Sequence, residues 1–141
     1  MKNSNCLLYV LNSIEDYLSE NHNSKLFQRI RKSIISYFNG KKVKFNFPID
    51  RIRATEFQKS VWKETSKIPY GTTTSYGEIA ERIGKPKSYR AVGNALGANP
   101  LPIIIPCHRV VSSNGSLGGF SGGLKLKKFL LELEKKHKNK V

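Results

Sequence analysis

The run Asn99-Pro100-Leu101-Pro102-Ile103-Ile104-Ile105-Pro106-Cys107-His108-Arg109-Val110 constrains this chain more than any other segment. Three isoleucines between prolines read as a short buried strand. A thiol follows at once, beside an imidazole and a guanidinium. A free cysteine is mostly protonated at neutral pH, with a pKa of about 8.5. A neighbouring cation or general base raises the thiolate fraction and makes the sulfur a usable nucleophile. The segment therefore offers a nucleophile on a rigid support, where a reactive group is best held.

Charge and cysteine usage narrow the setting. The chain has 141 residues, with 25 lysines and arginines against 10 acidic residues and a formal charge of +15. Such an excess favours a polyanionic partner, nucleic acid first and an anionic membrane second. A lysine-rich solvated surface explains the charge equally well. Two cysteines, Cys6 and Cys107, argue against a disulfide-stapled secreted domain. The N-terminus lacks a signal-peptide pattern, and no apolar run is long enough to cross a bilayer. A cytoplasmic protein is expected (nuclear if eukaryotic), with no membrane partner. Cys6, His22 and His137 are scattered, so no metal site is expected.

Periodicity lays out the elements. Cys6 to Leu11 reads as a first strand or a helix start. Leu26, Ile30, Ile34 and Phe38 recur every four residues and predict a helix that Gly40 stops. Val43, Phe45 and Phe47 alternate with Lys44 and Asn46, the pattern of a half-buried strand. Pro48 to Ala54 reads as a linker. Thr55 and Gln58 have capping-box spacing and open a helix that buries Phe57, Val61 and Trp62. Ser75 and Glu78 repeat the spacing ahead of Ile79, Ala80 and Ile83. A further short helix runs from about Ser88 to Leu96. Two short helices joined by a glycine-containing turn suggest a helix-turn-helix, a pattern also common as mere packing.

The second of these helices carries Ala91, Gly93, Ala95, Gly97 and Ala98, with Arg90 its one long cation and Asn94 its main other polar group. Small residues let a backbone approach a surface closely, either another helix or a minor groove with Arg90 as the probe. Ser112 to Gly123 is rich in glycine and serine and reads as a pocket lining rather than a linker. In the last helix Leu126, Phe129, Leu130 and Leu133 form an amphipathic stripe. Glu134 lies on its border, near the helix end where the dipole disfavours an anion. It is either screened by Lys135, Lys136 and Lys138 or held by a dedicated cation or imidazole.

The ordered set of motifs resembles the O6-alkylguanine-DNA alkyltransferases, also called methylated-DNA–protein-cysteine methyltransferases. The resemblance covers Phe57-Gln58 with Val61-Trp62, Ile68-Pro69-Tyr70-Gly71 and Ser75-Tyr76-Gly77. It continues through Arg90-Ala91-Val92-Gly93, Asn99-Pro100 and Pro106-Cys107-His108-Arg109-Val110, then Ser121-Gly122-Gly123-Leu124 and Leu133-Glu134. It implies an α+β chain. A small N-terminal α/β part over residues 1–50 would hold a small RNase H-like sheet. A mostly helical C-terminal domain over residues 51–141, with a winged-helix-like helix-turn-helix, would carry DNA binding and alkyl transfer.

By the same resemblance Cys107 is the alkyl acceptor and His108 the base that removes its proton, through a water. Glu134 orients and charge-stabilises His108, as in a triad. Asn99 is the hinge tying the recognition helix to the active-site segment. Tyr76 donates to the guanine as O6 leaves. Arg90 fills the gap left by the flipped nucleotide, with Ser88, Tyr89, Ala91, Gly93, Asn94 and Ala95 along the DNA. Val110, Ser113, Gly118, Phe120, Ser121 and Gly122 line the guanine pocket, Phe120 standing where a tyrosine is common. The implied partner is double-stranded DNA containing O6-alkylguanine, met by a monomer without a cofactor, in one irreversible turnover. The competing readings are a non-catalytic relative that binds alkylated DNA, and a helix-turn-helix regulator with an inert cysteine. A cysteine hydrolase is a weaker rival, because adjacent residues of a strand face opposite ways.

Overall fold

The computed structural model describes residues 2–20 and 24–139; His22 and Lys140 lie outside them. The chain opens with two helices, α1 (Lys2–Glu20) and α2 (Ser24–Phe38), packed on one another. Val10, Ile14 and Leu18 of α1 and Ile30, Ile34 and Tyr37 of α2 are buried. The spacing in each set is that of one helix face, so the strand alternative for Cys6 to Leu11 is excluded.

After α2 the chain runs extended from Lys41 to Pro48 without a ladder partner. Val43, Phe45 and Phe47 are half-buried and Lys44 and Asn46 exposed, as the alternation predicts. The expected strand is nevertheless absent, because no neighbouring strand pairs with this segment. The small N-terminal sheet expected for residues 1–50 is likewise not found among the described residues.

Helix α3 (Glu56–Thr65) begins at the predicted capping box. The Thr55 hydroxyl accepts from the Gln58 N–H at 3.1 Å, and the Gln58 side chain accepts from the Thr55 N–H at 3.0 Å. Helices α4 (Tyr76–Arg82) and α5 (Tyr89–Gly97) follow, and α3, α4 and α5 pack together. Trp62 is buried and its Nε1 donates to the Ala95 carbonyl at 2.8 Å, bolting α3 to α5. The amphipathic helix α6 (Leu124–His137) closes the fold.

The one sheet among the described residues is a parallel pair, β1 (Thr74–Ser75) and β2 (Val110–Val111), with Thr74 opposite Val110 and Ser75 opposite Val111. It is short but well placed. Tyr76 leaves β1 as the first residue of α4, and Cys107-His108-Arg109 enters β2. The ladder therefore holds Tyr76 beside the cysteine segment.

The isoleucine run is not the strand its composition suggests. Pro100, Pro102 and Pro106 have no N–H to donate, so a continuous ladder cannot form. The segment folds back instead, with the Ile105 N–H donating to the Leu101 carbonyl at 2.9 Å. Ile103 takes a left-handed backbone at φ 73°, a strained conformation for a β-branched residue. Every residue from Leu101 to Val110 is buried, so packing on all sides holds this tight support in place.

Trp62→Phe removes the donor to the Ala95 carbonyl and leaves a gap in the core. We expect a loss of about 2–4 kcal/mol in stability by urea denaturation; an unchanged midpoint would show that this contact does not join α3 to α5.

Candidate active site

Cys107, His108 and Arg109 form a single 3-10 turn, not the end of a strand. Their side chains therefore do not alternate between two faces, and the objection to neighbouring cysteine and histidine acting together disappears. Cys107 is almost fully buried. Its Sγ accepts from Asn99 Nδ2 at 3.1 Å. The same Nδ2 donates to the Ile105 carbonyl at 2.8 Å, and Asn99 Oδ1 accepts from the Leu101 N–H at 2.8 Å. Asn99, two residues beyond α5, thus fixes both ends of the proline-rich turn and the sulfur. Burial pushes the Cys107 thiol up to about 11, against the smaller opposing pull of Asn99 and the Lys127 ammonium. The sulfur at rest is a neutral thiol, not the cation-stabilised thiolate that the sequence suggests.

The adjacent cation is committed elsewhere. Arg109 Nε donates to Glu134 Oε1 at 2.9 Å and Nη2 to Oε2 at 3.0 Å, a two-pronged ion pair, while Nη1 donates to the Ile68 carbonyl at 2.8 Å. Glu134 also meets His108 Nε2 at 2.6 Å through Oε2 and accepts from the Gly71 N–H at 2.9 Å through Oε1. Its carboxylate is buried, not screened by the surface lysines. Burial alone would raise its pKa, but His108 and Arg109 outweigh it and hold the carboxyl well below the usual range. His108 is fully buried; desolvation pulls its pKa below the ordinary value although Glu134 opposes this. The imidazole is therefore neutral at pH 7. An ionised carboxylate only accepts, so Nε2 carries the proton, and Nδ1, which has no hydrogen-bond partner among the described residues, is the basic nitrogen.

A cavity of about 370 Å³ opens over Cys107. This lies within the ~300–1,000 Å³ of small-ligand sites. Tyr76, Gly93 and Gly97 form one side, and Gly118, Phe120 and Ser121 another. Gly118 has φ +72°, and a Cβ there would lie 2.6 Å from Tyr76 Oη, so only glycine lets the loop close on that ring. Lys127 is wholly buried beneath the loop. Its ammonium donates to the Val110 carbonyl at 2.6 Å, the Gly119 carbonyl at 3.0 Å and Tyr76 Oη at 3.4 Å. Burial lowers its pKa to about 8.

Most predicted site residues converge here. Cys107, Tyr76, Gly93, Tyr89, Gly118, Phe120 and Ser121 line the cavity; Asn99 bonds the sulfur, and His108, the next residue along the turn, pairs with Glu134. Four expectations shift. Ser112 rather than Ser113 faces the cavity. Val110 is fully buried and takes part through its carbonyl only. Gly122 packs toward Leu126, Tyr9 and Phe120. Ala95 is buried with Val92 and Leu96 on the inner face of α5, so it cannot reach DNA. Tyr89, Arg90, Ala91 and Asn94 are exposed and Ser88 is half-buried at the start of the helix.

Two participants escaped the sequence reading. Tyr37 is fully buried, and its hydroxyl donates to Glu134 Oε2 at 2.6 Å. It continues the Ile30–Ile34 face of α2, a position expected to hold plain core. Lys127 shares a face of α6 with Leu130 and Glu134, three and seven residues on. A lysine on a buried stripe, seven residues before a stranded carboxylate, was the available signal.

Residues 56–136 match the family model described as the DNA-binding domain of 6-O-methylguanine DNA methyltransferase. The methylated-DNA–protein-cysteine methyltransferase of Methanosarcina barkeri is 51% identical over 112 residues, 79% of this chain and 70% of the relative. That of Mycolicibacterium paratuberculosis is 47% identical over 115 residues, covering 82% and 69%. Among solved structures, Mycobacterium tuberculosis OGT in complex with DNA superposes with a TM-score of 0.74 at 49% identity, over 79% of this chain and 67% of that one.

The buried relay makes stability depend on pH with a definite sign. His108 has a depressed native pKa, so below about pH 6.5 the unfolded imidazole takes up its proton first. Glu134, also depressed, adds a second loss once pH falls below about 4.3, the unfolded carboxylate value. In both windows the unfolded state binds more protons. The urea midpoint should decline as pH falls from 7 to 5 and more steeply below; a midpoint that rises over that range would contradict the neutral buried imidazole.

Proposed function

We propose that this chain, which belongs to the methylated-DNA–protein-cysteine methyltransferase family, repairs O6-alkylguanine in duplex DNA by moving the alkyl group irreversibly onto its own Cys107. One observation carries the reading: Cys107 lines a cavity of about 370 Å³, and the next residue, His108, is buried against Glu134 at 2.6 Å. An inert regulator cysteine has no use for that relay, and a non-catalytic binder has no use for the sulfur.

The target carbon hangs from O6 of a stacked base, so the nucleotide must leave the duplex at a cost of a few kcal/mol. Helix α5 meets the DNA with its exposed face. Arg90 enters the gap, Ala91 and Asn94 permit close approach, and the +15 charge neutralises phosphates. The flipped guanine enters between Tyr76 and the Gly118–Ser121 loop. The winged-helix-like arrangement of α4 and α5 belongs to this reading, as does action by a monomer on one lesion.

The chemistry then balances. The Cys107 thiol proton passes to His108 Nδ1, by the family's route through a water. The imidazolium is held by Glu134 in a site where charge is poorly screened, the logic of general base catalysis. The sulfur attacks the alkyl carbon in line; the S–C bond forms as C–O6 breaks, and the bonding pair goes to the guanine. Tyr76, its hydroxyl held by Lys127 at 3.4 Å, supplies the proton that neutralises the leaving base. The product thioether has no good leaving group, so each molecule turns over once.

Incubation with a duplex carrying O6-methylguanine should add one methyl to Cys107, seen by intact-protein mass and peptide mapping. Cys107→Ser should bind the same duplex, with affinity falling steeply as salt rises, and accept nothing. An unmodified wild-type Cys107 in folded, reduced protein would remove the assignment.

A further inference from the structure

Tyr37 belongs to α2, outside residues 56–136 that carry the family's DNA-binding domain. Its hydroxyl donates to Glu134 Oε2 at 2.6 Å and lies 3.3 Å from His108 Nε2. Three atoms from three distant parts of the chain thus form one closed cluster. Because the phenol gives its proton to the carboxylate, its oxygen lone pairs remain for Nε2–H. Both oxygens facing that nitrogen are satisfied only by the Nε2-protonated imidazole. The phenol ring packs edge-on to the imidazole, with centroids 6.4 Å apart, and to Tyr70 at 6.2 Å. The hydroxyl is therefore aimed by packing and has no solvent alternative.

We propose that Tyr37 is a positioning residue for alkyl transfer: its hydroxyl locks the Glu134 carboxylate and the His108 tautomer, so that the N-terminal helix α2 supplies an essential part of the active-site relay. The inference rests on the repair reading above. The phenol shares the carboxylate's charge, leaving less of it to stabilise an imidazolium, and so keeps His108 a neutral proton acceptor before reaction. The other groups that act on this imidazole are Arg109 and Lys127, both of which disfavour its protonation, and Glu134, which favours it. Tyr70 also faces the Tyr37–Glu134 pair. Burial, followed by Glu134, raises the Tyr37 pKa well above the ordinary value, so the phenol stays protonated across the working range.

The test pairs two substitutions of opposite sign and reads two quantities. Tyr37→Phe keeps the ring and deletes the donor. His108, followed by NMR in DNA-free protein, should then titrate about one pH unit higher. The acid limb of the methyl-transfer rate should move the same way, and transfer at neutral pH should slow about tenfold with duplex affinity unchanged. Monofluorotyrosine at position 37 strengthens the donor without changing the fold; it should move both the His108 titration and the acid limb to lower pH. If Tyr37→Phe does not fold, the fluorinated protein still decides the question. Unmoved His108 titrations in the folded variants would overturn the proposal. Wild-type protein that transfers no methyl would instead overturn the repair reading, while the His108 titration would still report on Tyr37.

Discussion

The carboxylate of Glu134 is the contact on which the site depends. It is buried and receives hydrogen bonds from Tyr37, Gly71, His108 and both prongs of Arg109. These donors come from α2, from the turn before β1 and from the 3-10 turn, while the acceptor comes from α6. One side chain therefore gathers four separate segments. An isolated buried carboxylate would take up a proton rather than remain charged. The Arg109 pair keeps it ionised, and the geometry of the His108 ring follows. Such a pair adds little net stability compared with an apolar replacement, whereas losing one partner leaves a stranded charge and costs about 3–5 kcal/mol. Its value here lies in specifying one arrangement.

The sulfur is handled by opposite means. Cys107 is kept neutral by burial and held by Asn99, and its cationic neighbour in sequence is turned away toward Glu134. A thiol in that state is a poor nucleophile toward small electrophiles in solution. In the proposed reaction, reactivity is conferred when a substrate carbon occupies the cavity and the proton passes to His108. Lys127 tempers the arrangement: its ammonium lies under the Gly118–Ser121 loop, near enough to favour negative charge on sulfur and to orient Tyr76. The two-residue ladder of β1 and β2 ties the segment that leads into Tyr76 to the one that follows the Cys107 turn.

Much of this was legible in the sequence. The capping residues Thr55 and Ser75 were placed correctly because capping is a local interaction. The thiol–imidazole pair Cys107-His108 stands out on chemistry alone, whereas the odd helix-end position of Glu134 leaves screening by surface lysines open, and only the family resemblance points it toward His108. What failed was non-local. Val43, Phe45 and Phe47 do alternate in burial, but alternation cannot tell whether a partner strand exists. The isoleucine run looks like a strand by composition, yet its prolines remove the donors that a ladder needs. Ala95 resembles the exposed Ala91 and Ala98 in size, and its burial with Val92 and Leu96 shows which way it faces. Tyr37 and Lys127 sit in apolar stripes, where pattern alone reads a tyrosine as packing and overlooks a lysine.

The central claim is that Glu134 acts through His108 on the sulfur rather than merely holding the fold together. The single-turnover rate of methyl transfer by Glu134→Gln, normalised to folded protein and set beside its affinity for the same duplex, addresses it most directly. A rate lowered at least about tenfold with affinity unchanged is the predicted result. Transfer at the wild-type rate, or a loss explained wholly by weakened DNA binding, would contradict it.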